Sequence, residues 1–253
     1  MLGLGNSVSS LDYTQQSGAA ASGFSMSFDG AGDYLSFTET TFPIGDDGDK
    51  FSISFWAKRD TTATSEDAVI TNVNGYKRRI NFDTAGSKLY IEGDTNGQST
   101  YAVVTADTNW HHYIITSNND NGTGAASTST AYEDGAAVAV TVVNFGVAAG
   151  ASDGDMTVNS LGSPSGGGAT GFDGLLYQIA IYNEIIDAAA ATAMYNSGTP
   201  IPLEVNNGDY DNSGDLLHLW NFSEGVGSSS ADSAGSLTTT LQGDAIFSTT
   251  TPS

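Results

Sequence analysis

The chain contains no cysteine. Disulfides, thiolate nucleophiles and cysteine-based zinc sites are therefore excluded. Basic side chains are scarce, with 7 lysines and arginines against 29 aspartates and glutamates and a formal net charge of −22. A surface this negative repels phosphate backbones, which argues against nucleic acid as a partner and against anionic membranes in the same way. No run of ~18 apolar residues occurs, so membrane insertion is not expected either. The first basic side chain is Lys50; no charged segment precedes an apolar one near the amino end, and a secretory signal is not expected. Repulsion among the carboxylates is screened beyond roughly 8 Å at physiological ionic strength. Solubility, a saline setting and bound divalent cations each account for such an acidic excess.

What is present points to strands and turns. Of 253 residues, 39% are hydrophobic and 31 are glycine, enough for one large domain with a real core. Glycine, serine, threonine, asparagine and aspartate recur along the chain, each a turn former for its own backbone reason. Many turns imply many short strands. Phe24, Met26 and Phe28 alternate with serines, as do Phe51, Ile53 and Phe55, and Leu175, Tyr177, Ile179 and Ile181 continue the same period of two. Further strands are expected around Tyr34–Phe37, Val69-Ile70, Ile80–Phe82, Leu89–Ile91, 101–104, 110–116, 216–222, 237–241 and 245–247. Residues 131–135 run into an Asp-Gly turn that 138–143 leaves, a hairpin signal. One helix is expected over 187–196, capped by Asp187 and ended by Ser197-Gly198 before Pro200. Residues 118–128 and the glycine-rich 162–171 read as loops, and 1–22 as an extended arm, either laid on a neighbour's sheet edge or disordered. The expected fold class is all-β: a two-sheet jelly-roll sandwich with one short helix.

An ordered set of motifs resembles laminin-G-like domains of the concanavalin A-like superfamily. The set comprises Phe28-Asp29-Gly30 with Asp33-Tyr34-Leu35, Phe51 to Lys58, Trp110-His111-His112-Tyr113, Tyr132-Glu133-Asp134-Gly135, and Leu161-Gly162 followed by Phe172-Asp173-Gly174 to Asn183. They span 24–196 in the family's order. Stretches resembling the family's first strands, Leu219-Trp220-Asn221-Phe222, Glu224-Gly225, Asp232 to Gly235 and Leu241-Gln242-Gly243, stand instead at the C-terminal end. The ends of such sandwiches lie close together, so this displacement is topologically cheap, and 23–253 is read as one domain. The arrangement also resembles structural proteins of marine tailed bacteriophages in its Met1-Leu2-Gly3-Leu4-Gly5-Asn6 opening, in Met194-Tyr195-Asn196-Ser197-Gly198 and in the late tryptophan-bearing strand.

Laminarinase-type hydrolases resemble one another in a strand with Glu-x-Asp-x-x-Glu or Glu-x-Asp-x-Glu, because retaining hydrolysis needs two carboxyls roughly 5 Å apart. The nearest match, Glu92-Gly93-Asp94-Thr95-Asn96-Gly97, lacks the second glutamate at both positions and reads as the flank of a hairpin turn. His111 and His112 point to opposite faces of one strand, which prevents their sharing a metal, and are read as a structural pair beside Trp110; His218 is the third histidine. Asp209-Tyr210-Asp211-Asn212-Ser213-Gly214-Asp215 resembles the start of an EF-hand-like loop, although Trp220 stands where the bidentate glutamate belongs. A looser calcium cage from Asp209, Asp211, Ser213 and Asp215 is the metal candidate. Asp46, Asp47 and Asp49 read as a solvated loop, and Tyr76, Tyr101 and Tyr210 as aromatics in or near loops, with no glycan site assigned.

Together these readings give a non-enzymatic virion surface protein of a tailed phage, made in the host cytoplasm, that decorates capsid or fibre. Its expected partners are other virion proteins of the capsid or tail, copies of itself and cell-surface glycans. The alternatives are a secreted or cell-surface lectin-like module and a glycoside hydrolase.

Overall fold

Alternating sequences put apolar side chains on one face of a strand and polar ones on the other, so two such sheets close a core between them. A computed structural model describes residues 22–42, 50–60, 67–72, 79–92, 98–118, 128–144, 156–163 and 171–253. It shows this arrangement: two antiparallel sheets forming a jelly-roll sandwich, as expected. Apart from Ser22, the arm expected at 1–22 lies outside the described residues, as do Asp46, Asp47, Asp49 and Tyr76.

The first sheet runs β10 (Ala136–Val138), β9 (Thr128–Glu133), β8 (His111–Asn118), β3 (Lys50–Arg59), β13 (Asp173–Tyr182), β1 (Ser25–Asp29) and β17 (Ile246–Ser248), with β14 (Leu216–Trp220) also on β13. The second runs β11 (Val140–Asn144), β7 (Gln98–Val103), β6 (Lys88–Glu92), β5 (Arg79–Phe82), β4 (Asp67–Thr71), β12 (Met156–Leu161), β2 (Tyr34–Phe42), β16 (Thr239–Gln242) and β15 (Ser229–Ser230). Phe51, Ile53 and Phe55 of β3 and Leu176, Ile179 and Ile181 of β13 meet Leu35, Ile80, Phe82, Leu89 and Ile91 in the core between the sheets.

Strand β13 shares one edge between two partners. Leu175 and Leu176 pair with β1, whereas Ile179 to Tyr182 pair with β14. The handover falls at Gln178, held at φ 49°. It lies within the irregular stretch between Tyr177 and Ala180 facing β3. Its buried amide donates to the Ile201 carbonyl at 2.8 Å, which offsets part of the strain of a left-handed non-glycine residue.

A third layer covers the outer face of the first sheet. Ile114, Tyr132, Ala180, Tyr182 and Leu219 pack there against Ile186, Ala190, Ala191, Met194, Ile201, Leu203 and Tyr210. Helix α1 (Ala188–Tyr195) begins where the Asp187 carboxylate accepts the Ala190 N–H and ends at Asn196 in the left-handed region, within a residue of the expected span.

Three elements differ from the expected strands. Strand β12 was not anticipated: the register slips between Val158 and Ser160, so the apolar positions change parity and no period of two is visible. The stretch expected as one strand over 138–143 divides at Ala139: β10 belongs to the first sheet and β11 to the second. Residues 229–230, where no strand is expected, form the short edge strand β15.

The C-terminal strands complete both sheets, with β14 on β13, β16 on β2 and β17 on β1. Trp220 is fully buried in the core, and its indole N–H donates to the Leu237 carbonyl at 2.9 Å. Replacing Trp220 with alanine is expected to cost about 3–5 kcal/mol, read as the fall in unfolding free energy from urea titrations. A loss below about 1 kcal/mol would mean that the C-terminal strands are not integral to the core.

Candidate functional site

The first sheet spends its outer face on the helix layer, which directs attention to the outer face of the second. Leu89, Ile91, Ala102 and Val104 point into the core, so by alternation Lys88, Tyr90, Tyr101 and Val103 point out. Tyr90 stands directly opposite Tyr101 across the β6–β7 ladder. Their ring centroids are 5.2 Å apart at 45°. The Lys88 ammonium lies 4.6 Å from the Tyr101 ring centroid, within cation–π range. Val103 is 47% exposed and flanks the pair opposite Lys88. Exposed Thr141 continues the row from β11, and Asn81 continues it from β5. The Asn81 amide N–H donates to the Phe82 carbonyl at 3.1 Å, while its buried Oδ1 has no hydrogen-bond partner. Two half-buried phenols with polar tips make an amphipathic platform: the ring faces suit apolar C–H surface and the hydroxyls suit polar groups. Sequence reasoning singled out Tyr101 but not Tyr90 or Lys88; the signal was Lys88-Leu89-Tyr90 opposite 101–103 in a hairpin.

The other sequence candidates fall elsewhere. Tyr210 is fully buried, its hydroxyl donating to the Leu203 carbonyl at 2.7 Å and lying 3.2 Å from the Tyr182 hydroxyl. It is therefore packing, not a loop aromatic. Asp209 and Asp211 are exposed beside it. Ser213 and Asp215 lie in a short 3-10 turn (Asn212–Asp215). The Ser213 hydroxyl and N–H both donate to Asn206 Oδ1, at 2.6 and 3.1 Å, and Asp215 Oδ2 accepts from Asn212 at 3.2 Å. Among the described residues no three acidic or histidine side chains gather as a metal ion requires. Glu92 ends β6 opposite Ser99, and residues 93–97 lie outside the described residues.

His111 and His112 do face opposite ways. His112 is buried, stacked on Trp56 with centroids 4.8 Å apart, and shares a 2.8 Å hydrogen bond with the Ser54 hydroxyl. Burial holds its imidazole down at about 3, hence neutral. His111 donates Nδ1–H to Asp134 at 2.7 Å and Nε2–H to Asp107 at 3.0 Å. The Asp134 hydrogen bond, helped by its charge and by Asp107 and Glu133, outweighs burial and raises His111 to about 9. The other Asp134 oxygen accepts the His112 N–H at 2.9 Å. His218 repeats the arrangement: its Nδ1–H donates to Asp232 at 2.7 Å, and the other Asp232 oxygen accepts the Leu219 N–H at 2.9 Å. Burial alone would raise Asp232; the bonds from His218, Leu219, Leu237 and Gly235 reverse this and hold it at about 2. Each aspartate pins a turn to a strand, so both clamps are structural.

The chain is thus a two-sheet sandwich with a half-buried tyrosine pair on the outward side of its second sheet. Residues 29–191 match the family described as the concanavalin A-like lectin/glucanases superfamily, and the chain belongs to it. No curated protein matches the chain by sequence. Among solved structures, a Bacteroides ovatus protein for which carbohydrate binding has been proposed superposes over 90% of this chain and 60% of its own, with a TM-score of 0.59 and 17% identity. The present chain thus spans about three fifths of that protein's length. The heptameric pentraxin of Limulus polyphemus is similar over 68% of this chain and 81% of its own, at a TM-score of 0.43 and 13% identity. A Trypanosoma rangeli sialidase is similar over 58% of this chain and 23% of its own, at a TM-score of 0.40 and 13% identity.

The His111 clamp sets a pH dependence. Its folded value, about 9, lies above the ordinary histidine value of 6.5. Its contribution is therefore complete below the unfolded value and is lost as pH rises through the folded one. The urea midpoint is expected to fall between those two values, and a His111→Gln variant to show a flatter profile over the same window. A wild-type midpoint that stays level there would remove the charged clamp.

Proposed function

We propose that the chain is a non-catalytic, lectin-like module that binds carbohydrate on the Tyr90–Tyr101 face and is carried on the surface of a tailed phage particle, decorating capsid or fibre. The observation that carries the binding reading is the tyrosine pair, set outward on the sheet whose outer face the helix layer leaves alone. A sugar ring offers an apolar C–H face and a rim of hydroxyls, the chemistry this platform matches. Family membership and the carbohydrate binding proposed for the Bacteroides ovatus protein fit the same reading. The virion location draws on the phage-like opening, the 194–198 motif and the late tryptophan strand. Other virion proteins and copies of the chain itself are its partners there. Calcium is not needed for this mode of binding.

The test is a glycan array on the whole chain, followed by calorimetry on the strongest hit. Tyr90→Ala and Tyr101→Ala are each expected to weaken binding about tenfold, equivalent to about 1.4 kcal/mol, with an unchanged circular dichroism spectrum. Binding that survives both substitutions places the site elsewhere, and an array without hits removes the carbohydrate reading. Hydrolysis of the bound sugar would make the chain a glucanase. For location, proteomics and electron microscopy of purified particles are expected to find the chain as a repeated surface density. Finding it free or on cells instead would make it a secreted module.

A further inference from the structure

The few cations of this acidic chain are unevenly placed. Four of the seven basic residues, Lys77, Arg78, Arg79 and Lys88, fall in 77–92, a stretch with two acidic residues, Asp83 and Glu92. Residues 79–92 of that stretch supply β5 and β6, the strands beside and beneath the tyrosine pair, while Lys77 and Arg78 lie outside the described residues. Lys88 and Tyr90 are two residues apart on one strand and so share a face; Arg79 and Glu92, paired in register, lie at the far end of the same two strands. Elsewhere in the described residues lysines sit against carboxylates: Lys50 on Glu184 at 2.6 Å and Lys58 near Asp60 at 3.8 Å. Lys88 does not. It rests half-buried over the Tyr101 ring, and no carboxylate among the described residues lies within ion-pair distance of its ammonium. The Asp83 carboxylate, nearest in sequence, is turned to the backbone N–H groups of Ser87 and Lys88, at 2.8 and 3.0 Å.

In a molecule of net charge −22, a lysine left to an aromatic ring keeps its capacity for an external anion. We propose that the tyrosine face selects acidic glycans, with Lys88 pairing a carboxylate or sulfate of a sugar stacked on Tyr101. The inference rests on the carbohydrate reading above and names the substrate class of that same face. Phosphate polymers are the less suited polyanion: their charge lies on a backbone set apart from the base that would stack, whereas an acidic sugar carries its charge on the very ring that stacks on Tyr101, beside the Lys88 ammonium.

The experiment measures binding of the whole chain to polygalacturonate, dextran sulfate, neutral dextran and a single-stranded oligonucleotide by biolayer interferometry at about 50 and about 500 mM NaCl. The carboxylated or the sulfated polymer is expected to bind at least about tenfold tighter than dextran at low salt, and the tighter of the two identifies the anionic group. Raising the salt should narrow that gap. Lys88→Gln should abolish it, while Lys50→Gln, on the other sheet, leaves it unchanged. Tyr101→Ala should weaken every sugar bound. Equal binding of dextran and the acidic polymers, insensitive to Lys88→Gln, would overturn the charge selection and leave the carbohydrate reading standing. An equal loss in Lys50→Gln, or equal capture of the oligonucleotide, would overturn the selection as nonspecific charge. No binding of any sugar polymer, here and on the array, would overturn both readings.

Discussion

Strand β13 is enclosed on both faces and along both edges, and the rest of the sandwich follows from that enclosure. A backbone without access to water must find a partner for every amide and carbonyl. Here β3 serves one edge, while β1 and β14 divide the other. One face gives Leu176, Ile179 and Ile181 to the core, and the other gives Ala180 and Tyr182 to the helix layer. The left-handed Gln178 is the local cost of passing one strand between two partners. Because β14 comes from the C-terminal stretch, that stretch is part of the fold's central strand system.

The two histidine–aspartate clamps show one solution applied twice. In each, a single carboxylate spans a strand backbone and a ring nitrogen, so a turn is tied down through both oxygens. The first follows an Asp134-Gly135 hairpin turn in which both residues have positive φ, the geometry that two-residue hairpins favour. The second holds residues 232–237 against β14 through several further backbone N–H groups. Buried carboxylates are costly unless fully hydrogen-bonded; Asp232 is buried and well supplied, and the half-buried Asp134 likewise uses both oxygens. The acidic composition is thus partly structural.

The sequence made the architecture legible wherever a strand had one core face and one polar face, as in β3 and the end of β13. It failed where geometry broke the period. The bulge in β12 moves Ser160 and Leu161 out of step with Val158. Around Ala139, an apolar run conceals a change of sheet, since both halves are apolar for different neighbours. Tyr210 lies among aspartates, asparagine and glycine and so looked exposed; the Leu203 carbonyl that captures it is distant from any local pattern. The tyrosine face was half legible for a similar reason. Tyr101 stood out as an aromatic, but its value depends on Tyr90 and Lys88, which reach it only through the register of β6 on β7. In the oxygen-rich run at 209–215, spacing alone suggests ligands; the structure adds that Ser213 donates to Asn206 and that Asp215 accepts from Asn212.

The placement of the first and last described residues has a consequence for presentation. Ser25 donates to the Thr250 carbonyl at 2.7 Å, Tyr177 donates to the Ser22 carbonyl at 2.9 Å, and Ser253 lies beside Gly198 next to the helix. Residues 22–25 and 250–253 therefore meet on the β1–β17 side, by the helix layer. The tyrosine pair lies on the opposite layer, near the β11 edge. A copy held at this β1–β17 side would turn the tyrosine pair away from its support, and a lattice of copies so held would form a uniformly oriented, multivalent coat in which weak single contacts add up to firm adhesion.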